Sequence, residues 1–334
     1  MGNRVRAVGI LGTGKYLPEK ILTNADLEKM VDTSDEWIVT RTGIRERRIA
    51  DPEMASSDLA TRAALDALKD ANTSPEELDL IVVATVTPDV FFPSTACLVQ
   101  KNLGATKAGA FDLSAGCSGF LYTLAVAKQF IATGTYDKVL VIGVEVLSRI
   151  IDWTDRNTCV LFGDGAGAVV LGPTEEGKGI LTTVLGSDGE GGKFLTMPAG
   201  GSRMPATIET VQNRLHYVKM DGSEVFKFAV RTMHQVSLEA LELSGKGIED
   251  IDYLIPHQAN IRIIESASKK LKLPMEKVHV NLDRFGNVSS ASIPIALDEA
   301  VKSKKIKKDD LIVMVAFGAG LTWGASVLRW NKEF

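Results

Sequence analysis

The 334-residue chain is short of the residues that build extracellular scaffolds and metal centres. It has three cysteines, Cys97, Cys117 and Cys159, at no scaffold spacing. That odd count excludes a disulfide framework and fits a reducing compartment. None of its four histidines pairs with another at metal spacing, and the cysteines near them are not arranged as ligands. A zinc site is therefore not expected. No apolar run reaches the ~20 residues that span a bilayer. The start, MGNRVRAVGILGTG, is too short and too Gly-rich for a signal peptide, and Arg6 breaks the myristoylation pattern. Thirty-eight basic against forty-two acidic residues leave a net charge of −4, without the basic excess of a nucleic-acid binder. A bacterial-type cytoplasmic protein that contacts neither membrane nor nucleic acid is the expectation.

The chain does have enough apolar material for a large core, 45% of its residues, and length for about two domains or one α/β unit of two halves. Strands and helices alternate twice in the same order. VRAVGILGTG, DLIVVATV, GAFDL, KVLVIGVE and AVVLG read as strands in the first half. ILTTVLGSDG, IDYLIPHQ, VHVNL, LIVMVAFGAG and TWGASVLRW read as strands in the second. Placing Leu78 on Ile251 needs an offset of 173, and placing Ser114 on Arg284 needs 170. A nearly constant offset marks an internal duplication. Continuous Val- and Ile-rich strands mark sheets covered on both faces. The expected body is a layered α/β/α/β/α stack of two halves, 1–174 and 175–334, joined at the Gly-rich stretch Glu175 to Gly179. The region between the strand VRAVGILGTG and the helix SSDLATRAALDALKDA reads as an acidic loop, and 189–215 as a long Gly/Pro/Ser loop.

One junction stands out in "FDLSAGCSGFLYTLAVA". Cys117 follows a strand and opens a helix, between Gly116 and Gly119. It is either a small buried hydrophobe or a nucleophile whose thiolate the helix N-terminus lowers in pKa. Cys97 and Cys159 lack that setting and read as core. His257 ends an apolar strand in "LIPHQANIR", where ligands gather in α/β sheets. His216, His234 and His279 read as structural or surface residues. Asn287, in "RFGNVSSAS", falls opposite Cys117 at the 170 offset. It is either a turn residue or a partner brought to Cys117 across a pseudo-twofold axis. "GDGAGA" (163–168) matches a dinucleotide pattern but precedes a β-branched run, so it reads as a turn before a strand. "GTGKYLP" lacks the third glycine. "AFGAGLTWG" is either a flexible hairpin or an amide-donating loop facing the thiol. "KSKKIKKDD" is a solvated helix end.

"SAGCSGF", "PHQANIR" and "GNVSSASIP", with "TSDEWIVTRTGIRERR" and "FGAGLTWG", closely resemble the β-ketoacyl-acyl-carrier-protein synthase III family over the whole length. These condensing enzymes start bacterial type II fatty-acid synthesis. The resemblance implies the thiolase fold, no cofactor beyond a coenzyme A thioester substrate, and a homodimer. It carries the roles over residue by residue. Cys117 would take the acyl group from an acyl-CoA primer, and His257 and Asn287 would stabilise the enolate from malonyl-carrier protein. The amides of Cys117 and Ala319 would hold the oxyanion; relatives often have Gly where Ala319 stands. Phe317 would line the pocket, and Phe92 would reach the partner subunit's acyl pocket. Trp37 and Arg156 would sandwich the CoA adenine, and Asn260 would meet the pantetheine arm. Gln258, Arg262, Lys227, Lys269 and Lys270 would receive the carrier protein. The segment 199–214 has no motif to carry over and is expected to shape or cover the acyl pocket. A Cys-His-Asn set separates this pattern from the Cys-His-Cys of thiolases, the Cys-His-His of elongating synthases and the Glu-containing set of hydroxymethylglutaryl-CoA synthases. A polyketide or quinolone starter synthase, and a non-catalytic carrier- or CoA-binding protein, are the competing possibilities.

Overall fold

The computed structural model describes residues 5–333. Residues 1–4, on which part of the reading of the chain's start rests, lie outside the described residues. Among the described residues, no helix is long and apolar enough to cross a membrane.

Continuous apolar runs became fully buried strands: Leu80–Ala84, Val139–Val146 and Leu311–Gly318 are buried at every position. Two sheets result. The first runs, edge to edge, Val8–Tyr16, Asp164–Pro173, Val139–Val146, Leu80–Ala84, Gly109–Leu113. The second runs Gly179–Ser187, Thr322–Arg329, Leu311–Gly318, Tyr253–Pro256. The same order recurs, with the fifth place of the second sheet held by a single bridge, Leu254 to Val278. Both sheets are mixed: the pairs toward one edge, Leu80–Ala84 with its two neighbours and Tyr253–Pro256 with Leu311–Gly318, run parallel, and the others run antiparallel.

Helices cover each exposed face. Ser56–Asp70 turns Leu59, Ala60, Ala63, Ala64, Ala67 and Leu68 inward, an i, i+3/i+4 stripe that packs on the outer face of the first sheet. Gly222–Leu243 covers the outer face of the second. Between the sheets lie Gly119–Ala132 and Ser292–Lys302, sharing one core with strands from both. The five layers are those of the thiolase fold.

Four local expectations need correction. VHVNL is not a strand beyond its one bridge. The buried polar groups of His279 and Asn281 draw the chain elsewhere: Tyr253 Oη bonds His279 Nδ1 at 3.2 Å, and Asn281 N donates to Gln258 Oε1 at 3.0 Å. "GDGAGA" is not a turn, because its residues from Asp164 lie within the strand Asp164–Pro173. Gly167 is required there by packing, since a Cβ would stand 2.7 Å from the Ile295 nitrogen. The acidic loop contains a helix, Asp35–Thr42, capped by Ser34 and stopped by Gly43 at φ +80°. Cys97 is exposed rather than core, on the outward side of the helix Thr95–Leu103.

Candidate active site

The strand Gly109–Leu113 delivers the chain to a short 3-10 turn, Gly116–Ser118, which runs into the helix Gly119–Ala132. Cys117 sits in that turn, 8% exposed. Ser289–Ala291 runs into Ser292–Lys302 in the same manner. The duplicate of Cys117 is therefore Ser290, and Asn287 lies three residues earlier on the same loop, not at the equivalent position.

The turn is pressed against the end of the strand Leu311–Gly318. A Cβ on Gly318 would stand 2.4 Å from the Cys117 nitrogen, and one on Gly116 would stand 2.7 Å from the Ala319 nitrogen. Only glycines allow this approach, and Gly116 also adopts φ +54°. Ser118 Oγ and Thr322 Oγ1, 2.7 Å apart, tie the two loops together, and Thr322 Oγ1 donates to the Ala115 carbonyl at 2.8 Å. The "FGAGLTWG" loop thus lies against the backbone of the cysteine turn.

The thiol's state differs from expectation. Burial pushes its pKa up to about 12; a hydrogen bond from Ser289 opposes this and the nearby Glu145 adds to it. Desolvation is the largest of these effects, so the resting thiol keeps its proton at neutral pH.

His257 follows the strand Tyr253–Pro256, its amide donating to the Val315 carbonyl at 2.8 Å. Its ring is 1% exposed and meets Phe317 edge-on at 5.4 Å. Nδ1 bonds Ser292 Oγ at 2.6 Å, while the buried Nε2 has no protein partner. Burial lowers its pKa from 6.5 to about 3, so the ring is neutral at physiological pH. The unfolded chain binds a proton that the folded one refuses between those values. The stability this ring contributes is therefore present above pH 6.5 and lost as pH falls toward 3. Each pH unit in that window costs about 1.4 kcal/mol. From pH 6.5 to about 5, urea unfolding of the parent should lose about that much more per unit than His257→Asn. Parallel slopes would mean the imidazole is not held neutral.

Asn287, 7% exposed, accepts from the Ser289 amide through Oδ1 at 2.8 Å, which leaves its Nδ2 donors as the end the cavity can use. Its own backbone is fixed to Leu161 and Gly163 at 2.8 and 3.0 Å. Cys117, His257, Asn287, Phe317 and Gly318 all line one cavity of about 740 Å³. A second cavity, about 220 Å³ and mostly apolar, reaches Cys117 from the other side between Leu147, Ile150, Phe162 and Met197. Leu195, Thr196 and Met197 contribute to it, whereas no residue of 199–214 does. That segment instead carries the helix Ile208–Gln212 and Arg214, whose Nε donates to the buried Asp152 at 2.7 Å.

Trp37, Arg41, Lys193, Lys219 and Asn260 border the larger cavity. The Arg156 guanidinium lies 5.1 Å from the Trp37 ring centre, and that of Arg41 lies 4.5 Å away. Arg156 also donates to the Asp32 carbonyl at 2.9 Å. Asn260 caps the helix Ile261–Lys270 through Oδ1, and its Nδ2 donates to the Arg41 carbonyl at 2.8 Å. Arg262, Lys269 and Lys270 are exposed on that helix and Lys227 on the neighbouring one, where it pairs with Glu224 at 2.7 Å. Gln258 is not part of this surface. It is 1% exposed, and its amide donates to the carbonyls of Pro256 and His279 at 2.8 and 3.0 Å, so it braces the His257 loop. Phe91 and Phe92 are 82% and 86% exposed.

Two family models cover residues 111–189 and 241–330; they describe 3-oxoacyl-[acyl-carrier-protein] synthase III and its C-terminal region. A β-ketoacyl-[acyl-carrier-protein] synthase III of Caldanaerobacter subterraneus subsp. tengcongensis is 67% identical over 98% of each chain. The chain belongs to the β-ketoacyl-acyl-carrier-protein synthase III family. The Symbiobacterium thermophilum member is 60% identical over 98% of this chain and all of its own. Among solved structures, the Aquifex aeolicus synthase III superposes with a TM-score of 0.91 at 53% identity, covering 97% of this chain and 100% of that one. The priming β-ketosynthase of the R1128 polyketide pathway gives 0.92 at 37%, over 99% and 98%.

Glu145 and its hydroxyl partners were missed from sequence. A lone carboxyl in the run "VLVIGVEV" is itself a signal, because a buried charge requires partners.

Proposed function

We propose that the protein condenses a short acyl-CoA primer with malonyl-acyl-carrier protein to give 3-ketoacyl-carrier protein and CO₂. The convergence of Cys117 from one half with His257 and Asn287 from the other on one cavity carries this reading. Cys117 Sγ attacks the primer thioester, the bond to CoA breaks, and the acyl group stays on sulfur. The malonyl carboxylate then departs as CO₂, leaving its electron pair as a thioester enolate. The Asn287 amide and His257 Nε2–H donate to the enolate oxygen. The second donor requires Nδ1 to accept from the Ser292 hydroxyl. The enolate carbon attacks the acyl-cysteine carbonyl, and the Cys117 thiolate leaves. Amides of Cys117 and Ala319 hold the oxyanion in the acyl steps.

Arg41, Lys193 and Lys219 suit the phosphates of CoA. Trp37 and Arg156 suit its adenine once Arg156 swings away to admit the ring. Arg262, Lys227, Lys269 and Lys270 form the docking patch for an acidic carrier. The halves 1–174 and 175–334 supply the nucleophile and the donor pair respectively. Phe92 completes the acyl pocket of a second copy in a homodimer. Three free cysteines fit a reducing cytoplasm, and no cofactor besides the CoA thioester is needed.

Extender choice tests this function against a polyketide-type starter synthase. With acetyl-CoA as primer, malonyl-carrier should give product at least tenfold faster than malonyl-CoA at equal concentration. Equal rates would contradict a carrier-dependent role.

A further inference from the structure

Glu145 is wholly buried in the strand Val139–Val146, 0% exposed, yet it is tied to the loop of the opposite half that holds Asn287. Its carboxyl accepts from Thr87 Oγ1 at 2.7 Å, Val86 N at 3.1 Å, Ser290 Oγ at 2.9 Å and Ser289 Oγ at 3.1 Å. Ser289 is held at φ +45°, a conformation uncommon for a side chain with a Cβ. Its side chain and that of Cys117 both line the smaller cavity, and the Ser289 hydroxyl lies close enough to oppose the rise in the thiol's pKa. Ser289 thus stands between the thiol and the carboxyl, lining the cavity beside Cys117 and hydrogen-bonded to Glu145 behind it.

The proposed mechanism leaves one proton without a destination. Cys117 rests as a thiol, and its proton must leave when Sγ attacks the primer. His257 cannot take it at Nε2 while that atom carries the hydrogen needed by the enolate. We infer that Glu145, reached through the Ser289 hydroxyl, is the proton acceptor for Cys117 during acylation and the donor that restores the thiol after condensation. This rests on the acyl-Cys117 reading given above.

The step balances. As the Cys117 Sγ–carbonyl bond forms, the S–H proton passes to Ser289 Oγ, and the Ser289 proton passes to Glu145 Oε1. The bond to CoA breaks and CoA leaves as the thiolate. When the enolate later displaces Cys117, the same path runs backward and the sulfur regains its proton. The proton consumed by the overall reaction is the one CoA thiolate takes from water.

The surroundings of Glu145 accommodate both protonation states. Ionised, it accepts the Ser290 hydroxyl. Protonated, Oε1–H can donate to Ser290 Oγ, whose own proton then turns to the Ala84 carbonyl at 3.0 Å. Burial raises the Glu145 pKa, which brings its proton affinity toward that of a thiol. The titratable groups facing Sγ are Glu145, through Ser289, and His257 across the cavity. The other groups bonded to Glu145 are hydroxyls and an amide, which do not titrate near neutrality. A carboxyl neutralised by acylation also ceases to repel the malonyl carboxylate, which favours the acyl-enzyme as the form that takes the extender.

The test follows acetylation of Cys117 by acetyl-CoA in a rapid-quench series across pH, read by intact mass. Glu145→Gln and Ser289→Ala should each slow acetylation by ~10²–10⁴ near pH 7, the range of a lost general base. Their rates should recover about tenfold per pH unit toward the thiol's pKa, while the parent stays flatter, because a preformed thiolate needs no acceptor. Loss without recovery at high pH would assign Glu145 a structural part only and overturn the relay. The parent alone gives a second readout should either variant fail to fold. The difference infrared spectrum between free and acetylated enzyme should gain a protonated-carboxyl stretch that shifts in D₂O, and its absence would overturn the relay. Acetylation of both variants at the parental rate would do the same while leaving the acyl-Cys117 reading intact. A parent that never acetylates Cys117 would remove that reading, and the relay with it.

Discussion

Cys117→Ala should keep releasing CO₂ from malonyl-carrier while making no ketoacyl product. His257→Ala and Asn287→Ala should do the reverse, taking an acetyl group on Cys117 but decarboxylating ~10²–10³ more slowly, the usual cost of one preorganised oxyanion donor. The division follows from the positions of the hydrogen bonds. Ser292 occupies His257 Nδ1, and the Ser289 amide occupies Asn287 Oδ1, so His257 has Nε2 and Asn287 has Nδ2 to offer. Neither bond involves the thiol. Both donors sit in a cavity that burial keeps at low dielectric, where a developing enolate charge interacts more strongly than in water. Release of ¹⁴CO₂ from labelled malonyl-carrier, run beside mass mapping of the acyl-enzyme, separates the two half-reactions. Decarboxylation by Asn287→Ala at the parental rate would remove Asn287 from the enolate site.

Gly318→Ala should be nearly as damaging, although it deletes no functional group. The added methyl would stand 2.4 Å from the Cys117 nitrogen and 3.1 Å from its Cα, both backbone atoms that cannot rotate away. The strand end and the cysteine turn must part, which moves the amides of Cys117 and Ala319 off the same oxygen. A displacement of about 1 Å at such a site costs ~10² in rate, and overpacking a tight contact costs about 1–3 kcal/mol of stability. Gly201→Ala, where a Cβ meets nothing within 4 Å, is the control and should match the parent in both respects. Steady-state turnover and urea unfolding of the two variants decide the matter. Parental turnover by Gly318→Ala would show that the close approach is packing without catalytic consequence.

What the sequence made legible was whatever depends on local pattern. The apolar runs at Leu80–Ala84, Val139–Val146 and Leu311–Gly318 could only be strands buried on both faces, and their repetition carried the layered fold. Cys117 and His257 were found because each stands where a strand gives way to a turn; Asn287 was found through the 170-residue offset, although Ser290 holds the place equivalent to Cys117. The failures share a different cause: each was decided by partners distant in sequence. VHVNL alternates like a strand, but Gln258, more than twenty residues earlier, captures the Asn281 amide. Gln258 itself looked like a surface residue beside a conspicuous histidine until its buried bonds to Pro256 and His279 were seen. The helix Asp35–Thr42 did announce itself, through Ser34 and Gly43, yet its weak apolar stripe concealed it. The thiol's pKa could not be judged from a helix N-terminus alone, because desolvation and Glu145 act on it from outside the local motif.

The account stands on an acyl group carried by one of three cysteines, and brief incubation with acetyl-CoA followed by peptide mass mapping tests this directly. Cys117 is buried with a raised pKa, whereas Cys97 is exposed and would be the site of any adventitious acylation. The predicted result is an acetyl group on Cys117 alone, formed before any malonyl-carrier is added and discharged to ketoacyl product when it is. Acetyl on Cys97 or Cys159, or an unmodified Cys117 in an enzyme that still makes product, would contradict it.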